Sequence, residues 1–173
     1  MPEWRAPRAL AARLLALVAL LGLSAGACRQ LAGLPPRLGA CDGPLRSTRE
    51  IAGDFTHLAR IRVRGQGVDE SFGLVLQKTG ARLVVLATNA FGAKAFAVTQ
   101  TGEKFETKSF VGRALSVPPE NILRDLHRAY FLTPEQAQSP DRTAQPTASG
   151  VRIESDRCRY ESLIVPISEQ RTP

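Results

Sequence analysis

Between Phe55 and Arg64 the chain alternates in character: Phe55, His57, Ala59, Ile61 and Val63 fall on one side, and Thr56, Leu58, Arg60, Arg62 and Arg64 on the other. A period of two marks a strand with one buried face, so the pattern predicts β-structure over 55–64. Gly65-Gln66-Gly67 supplies a turn, and a second strand follows from about Glu70 to Lys78 with Phe72, Leu74 and Leu76 aligned. Thr79-Gly80 turns the chain again. The continuous run Leu83-Val84-Val85-Leu86, within 82–88, predicts a central strand covered on both faces. After Asn89-Ala90-Phe91-Gly92 come a strand over 94–100 with Phe96 and Val98 aligned, a Thr101-Gly102 turn, and a shorter strand around 104–110. Five successive strands joined by short glycine turns describe an antiparallel meander.

The period changes after Pro118-Pro119-Glu120. Ile122, Leu123, Leu126, Ala129 and Tyr130 share one helical face, opposite Arg124, Asp125 and Arg128, which predicts an amphipathic helix over 120–131. Between 134 and 150 the apolar residues other than Pro and Gly are Ala137, Ala144 and Ala148, so a flexible loop is expected there. Two further strands, 151–156 and 158–167, precede a polar tail at 168–173. Upstream, Gly33, Pro35, Pro36, Gly39, Gly43 and Pro44 punctuate a tether over 28–54 that ends in Cys41 and a first ordered segment. The expected fold class is mainly β (α+β): one domain over 55–167, a curved antiparallel sheet or open half-barrel with an amphipathic helix as its lid.

The N-terminus reads differently. Arg5, Arg8 and Arg13 stand against one Glu3, an apolar run starts at Leu14, and Ser24-Ala25-Gly26-Ala27-Cys28 closes it. That order describes an export signal over 1–27; the uncharged stretch from Leu14 to Ala27 is 14 residues long, against the roughly 20 needed to span a bilayer. Ala25 and Ala27 satisfy ordinary secretory cleavage, but the stretch also resembles a bacterial lipobox, with Ala25 standing where Leu is usual. On that reading Cys28 carries the lipid and attaches the protein to a membrane. Arg29, where an Asp would resemble a signal for inner-membrane retention, points to the periplasmic side of an outer membrane, assuming a Gram-negative source.

Cysteine count bears on the same question. The chain has Cys28, Cys41 and Cys158, so lipidation of the first leaves an even pair in an oxidising compartment. Cys41 and Cys158 are expected to be bonded, tying the start of the domain to its last hairpin; two buried free thiols are the alternative.

Length fits one domain with a real core. The net charge is +7, and four of the 23 basic residues are lysine; arginine suits phosphate and carboxylate groups, though a GC-rich genome gives the same bias. Arg60, Arg62 and Arg64 share a strand face, as a solvated outer surface or as a meeting place for phosphate headgroups. Aromatics are 6% of the chain and no basic run occurs, so nucleic acid is not an expected partner. His57, on the apolar side of its strand, reads as a packed histidine, and His127, beside Arg124 and Arg128, as a solvated one. No nucleophile elbow, zinc pair, redox C-x-x-C or phosphate loop is present. No catalytic residue, metal or cofactor is therefore expected.

Leu83-Val84-Val85-Leu86 with Asn89-Ala90-Phe91-Gly92, Ala95-Phe96-Ala97-Val98 with its Thr101-Gly102 turn, Asn121-Ile122-Leu123-Arg124-Asp125-Leu126 and Arg157-Cys158-Arg159-Tyr160 resemble an uncharacterised bacterial lipoprotein family related to LolA/LolB-type lipoprotein localisation factors. The resemblance covers about 55–167. It implies an open half-barrel whose apolar concave face, lidded by helices, receives acyl chains. Here that face would be Ile61, Val63, Phe72, Leu74, Leu76, Leu83, Val85, Phe96 and Val98, with Leu126 and Tyr130 from the helix. The polar 134–150 segment and the single helix depart from that pattern. The implied partners are lipid acyl chains or a lipoprotein. The alternative is an assembly lipoprotein that binds another envelope protein through its sheet edge or basic face. A cavity of several hundred Å³ favours the first, and a filled core with an exposed apolar patch the second.

Overall fold

The computed structural model describes residues 35–112, 114–139 and 141–172. Cys28, the expected export signal and the start of the tether lie outside the described residues. Strands β1 (Asp54–Gly65), β2 (Val68–Thr79), β3 (Arg82–Thr88), β4 (Lys94–Thr101) and β5 (Lys104–Ser109) form the meander. Helices α1 (Pro119–Tyr130) and α2 (Pro134–Ala137) follow, then β6 (Arg142–Thr147), β7 (Gly150–Ser155) and β8 (Tyr160–Thr172). All eight strands make one antiparallel sheet in the order β5-β4-β3-β2-β1-β8-β7-β6, open rather than closed into a barrel. The tight β1–β2 hairpin turns on Gln66 and Gly67, both left-handed at φ 50° and 80°, the pair that lets a two-residue loop follow the strand twist.

One face of the sheet makes the core. Side chains meet across strands in rows, His57–Leu76–Val85–Val98 and Ala59–Leu74–Ala87–Phe96, and Phe72 meets Phe96 edge-on with ring centroids 5.6 Å apart. Ile122, Leu123 and Leu126 of α1 close over these rows and are fully buried. Helix formation starts at Pro119, where a missing N–H costs nothing. The opposite sheet face is only half-covered: Leu58, Val75, Leu86 and Ala97 form one outer row. Strand β3 is therefore central but buried on one side, and its continuous apolar run does not report two covers.

The far side of α1 departs most from expectation. Asp125 and Arg128, which the periodicity sets opposite the apolar face, and His127, read as solvated, are buried, and so is Asn121. Residues 36–48 run as a strap against Asn121, Arg124 and His127 of the helix, whereas Asp125 turns to the sheet. Cys41 N–H donates to Asn121 Oδ1 at 2.8 Å and Asn121 Nδ2 donates to the Gly39 carbonyl at 2.9 Å. Arg46 N–H donates to His127 Nδ1 at 3.0 Å, and Thr48 N–H to the Gly102 carbonyl at 3.0 Å. A disulfide joins Cys41 to Cys158 across 117 residues, with Cα atoms 6.2 Å apart. Most of the polar stripe of the helix is met by protein groups; among its members the Arg128 Nε is buried without a partner among the described residues.

Two further expectations give way. The 134–150 segment holds α2, started by a capping box between Thr133 and Gln136, and the edge strand β6, which pairs with β7 from Arg142↔Ser155 to Thr147↔Gly150. An edge strand with one shallow contact face needs few apolar residues, so no alternation announced it. Residues 168–172 of the expected tail are strand as well, since β8 pairs with β1 out to Asp54↔Thr172; backbone hydrogen bonds hold this stretch while the side chains of 168–171 stay exposed.

Candidate functional site

The half-barrel-like sheet is not filled along its whole length. Strand β7 pairs with β8 only from Tyr160 to Ile164, so from Val165 onward β8 has a neighbour on one side alone. A bulge sets this boundary: Leu58 faces Ser168 while Ala59 faces Pro166, leaving Ile167 as the extra residue, 60% exposed. Pro166 also withholds an N–H from any further ladder.

A cavity of about 580 Å³ opens there, between β1, the end of β8 and the C-terminal turn of α1. Its apolar wall is Ile51, Phe55, His57, Ala129, Tyr130 and Phe131. The rings touch in series: His57 to Tyr130 at 4.8 Å, Tyr130 to Phe131 at 6.2 Å and Phe131 to Phe55 at 5.9 Å between centroids. The Tyr130 Oη is buried and has no hydrogen-bond partner among the described residues. Burial, aided by Glu169, pushes its pKa up to about 12, so it remains a hydrogen-bond donor. Charges ring the mouth: Arg46 lies 3.7 Å from Glu50, Arg171 2.7 Å from Glu169, and Asp54 3.8 Å from Lys78.

Of the residues expected to line a lipid site, Ile61, Val63, Phe72, Leu74, Leu76, Leu83, Val85, Phe96, Val98 and Leu126 are buried together in the packed core. Tyr130 is the one that reaches the cavity. Alternation places side chains on a face, and Phe55 and His57 do share that face, but it does not tell which end of a sheet lies uncovered. Ala129 shares the apolar helix face with Tyr130, whereas Ile51 and Phe131 have no signal beyond being apolar near an element's end.

Beside the cavity, His127 is buried and not solvated as its neighbours in sequence suggest. Its Nδ1 accepts from Arg46 N–H, and its Nε2 lies 2.7 Å from Gln100 Oε1, which fixes the neutral tautomer with the proton on Nε2. Burial, with Arg124 adding to it, lowers its pKa from 6.5 to about 4. Above pH 6.5 the neutral ring contributes its full share of stability, and that share is lost as pH falls toward 4, because the unfolded chain takes up the proton first. Wild type should lose about 2 kcal/mol more than His127→Gln between pH 7 and 4.5, measured by urea denaturation at the two pH values. Equal losses would place the acid sensitivity elsewhere.

A second buried group lies under the middle of α1. The Asp125 carboxylate accepts from Ser162 Oγ at 2.9 Å and from Tyr160 Oη at 3.1 Å, and pairs with Arg142 at 3.2 Å; Arg142 in turn donates to Tyr160 Oη. Burial holds the Asp125 pKa above its ordinary value, opposed first by Arg142. Every polar contact here is internal, which makes it a joint between helix and sheet.

Two surface features complete the candidates. Phe91 is 95% exposed at the tip of the β3–β4 turn, which Asn89 holds rigid by accepting from Phe91 and Ala93 N–H, each at 3.0 Å. Phe110 lies near it at the same sheet end, with the Lys94 and Lys108 ammonium groups 6.0 and 5.4 Å from its ring. On the outer face, Asp69 takes a two-pronged contact from Arg62 at 2.8 and 2.7 Å and sits 3.5 Å from Arg64, which occupies two of the three aligned arginines. Among the described residues no group of three or more His, Cys, Asp and Glu could hold a metal ion, and no helix is long and apolar enough to cross a membrane.

Residues 56–164 match the model of a family described as "Protein of unknown function (DUF3261)". A comparison with curated proteins finds no match.

Proposed function

We propose that this chain, which belongs to the DUF3261 family, is an envelope lipoprotein that holds acyl chains, free or carried by a lipoprotein, and serves lipid or lipoprotein traffic at the outer membrane. The observation that carries the reading is the 580 Å³ cavity with its aromatic wall, a volume within the usual range for small-ligand sites. The resemblance to LolA/LolB-type factors supports it, since an open sheet under a helix is the architecture those factors use. Phe91 supports it too: an apolar ring displayed on a rigid turn, with lysines nearby, suits contact with a bilayer surface.

A partner-binding lipoprotein is the second reading, favoured by the half-exposed outer row Leu58, Val75 and Leu86. Its sheet-edge version is the weaker one. Lys104 and Lys108 mark β5, Pro146 marks β6 and Pro166 marks the free part of β8, the residues that natural edges use to prevent strand addition.

Displacement of a fluorescent fatty acid from the purified full chain separates the two. Ala129→Trp, which fills the cavity, should weaken probe binding at least tenfold, and Leu58→Glu on the outer face should leave it unchanged. Leu74 and Phe96 lie in the packed core, so a charge there would report stability and not binding. A folded wild type that binds no probe would remove the acyl-chain reading.

A further inference from the structure

Resting on that reading of the cavity, we infer that its occupant is a single-chain zwitterionic amphiphile, one acyl chain against the aromatic wall and a phosphate–ammonium head at the charged mouth. Volume sets the number of chains. A methylene fills about the ~30 Å³ of a water molecule in the liquid, so 580 Å³ takes one long chain, neither the two of a bilayer phospholipid nor the three of a fully acylated lipoprotein.

The mouth sets the head. Arg46 and Arg171 stand beside Glu50 and Glu169, and Asp54 shares its charge with Lys78. A purely anionic head that reached either guanidinium would sit against a carboxylate as well, and a purely cationic head would meet the arginines. A head of both signs finds a partner for each: phosphate on the guanidinium groups and ammonium on Glu50 or Glu169.

The purified full chain, loaded with a fluorescent fatty acid, is titrated with lysophosphatidylethanolamine, lysophosphatidylglycerol of the same chain length, and vesicles of diacyl phosphatidylethanolamine. The first should displace the probe at a concentration at least tenfold below the second, and the vesicles should not displace it. Arg171→Glu, at a position 82% exposed in its side chain and so harmless to folding, should bring the two lysolipids within twofold. Equal displacement by both lysolipids in wild type would overturn the head assignment, and efficient displacement by the vesicles would overturn the single chain. Either result leaves the acyl-binding reading standing, whereas failure to load the probe at all would remove that reading itself.

Discussion

Cys158→Ser should cost about 4–5 kcal/mol of stability, the loop-entropy value for a bridge across so long a stretch. The bond spans 117 residues and ties the strap over α1 to the turn before β8. Without it the strap keeps its hydrogen bonds to Asn121 and His127, but the unfolded chain gains the freedom that the bridge removes. With a typical slope of 1–3 kcal/mol per molar urea, the midpoint should fall by about 1.3 M or more. Wild type in reductant should fall to the same midpoint, which separates loss of the bond from loss of a cysteine side chain. A variant that keeps the wild-type midpoint would mean that the strap is held by its other contacts alone.

The second large effect is at Asp125. Replacing it with Ala leaves Arg142 buried without its carboxylate and strands the hydroxyl groups of Tyr160 and Ser162, a loss of about 3–5 kcal/mol. The cost comes from the orphaned charge more than from the missing contact. Asp125→Leu with Arg142→Met, which removes both charges and fills their space, should therefore recover most of the loss, and urea denaturation of the two single variants and the double variant forms the cycle. A double variant as unstable as the sum of the singles would show that the pair is not coupled. Tyr160→Phe is the mild member of the set, since Arg142 and Ser162 still serve the carboxylate.

The meander was legible because its first four strands each bury one face: Phe72, Leu74 and Leu76 announce β2, and Val85 and Val98 fall in the same cross-strand row as Leu76. Legibility failed where polar residues are buried with protein partners. His127, Asp125 and Arg128 have the sequence appearance of a wet helix face, and it takes the strap, α2, β6 and β8 together to make that face dry. The strap itself was hidden because Pro36, Gly39, Gly43 and Pro44 speak for irregular backbone and say nothing about what that backbone crosses. Strand β6 and the end of β8 were missed for the opposite reason, being regular backbone with no apolar period. The cavity was legible as a sheet face lined by His57 but not as a place, because its position depends on where β7 stops pairing.

The seam between α1 and its surroundings also bears on timing. Strap and disulfide fasten the helix from behind, and Asp125 fastens it to β8 in front, so α1 is a fixed wall and the expected lid has no hinge. On the proposed reading, a ligand of the cavity would pass sideways, along the bare flank of β8 where Glu169 and Arg171 are exposed. Exchange through such a gap is governed by side-chain rotation in nanoseconds and short-segment motion up to microseconds, not by the slower lifting of an element. Residence in the cavity would then be set by the grip of its walls, with no gate to add to it.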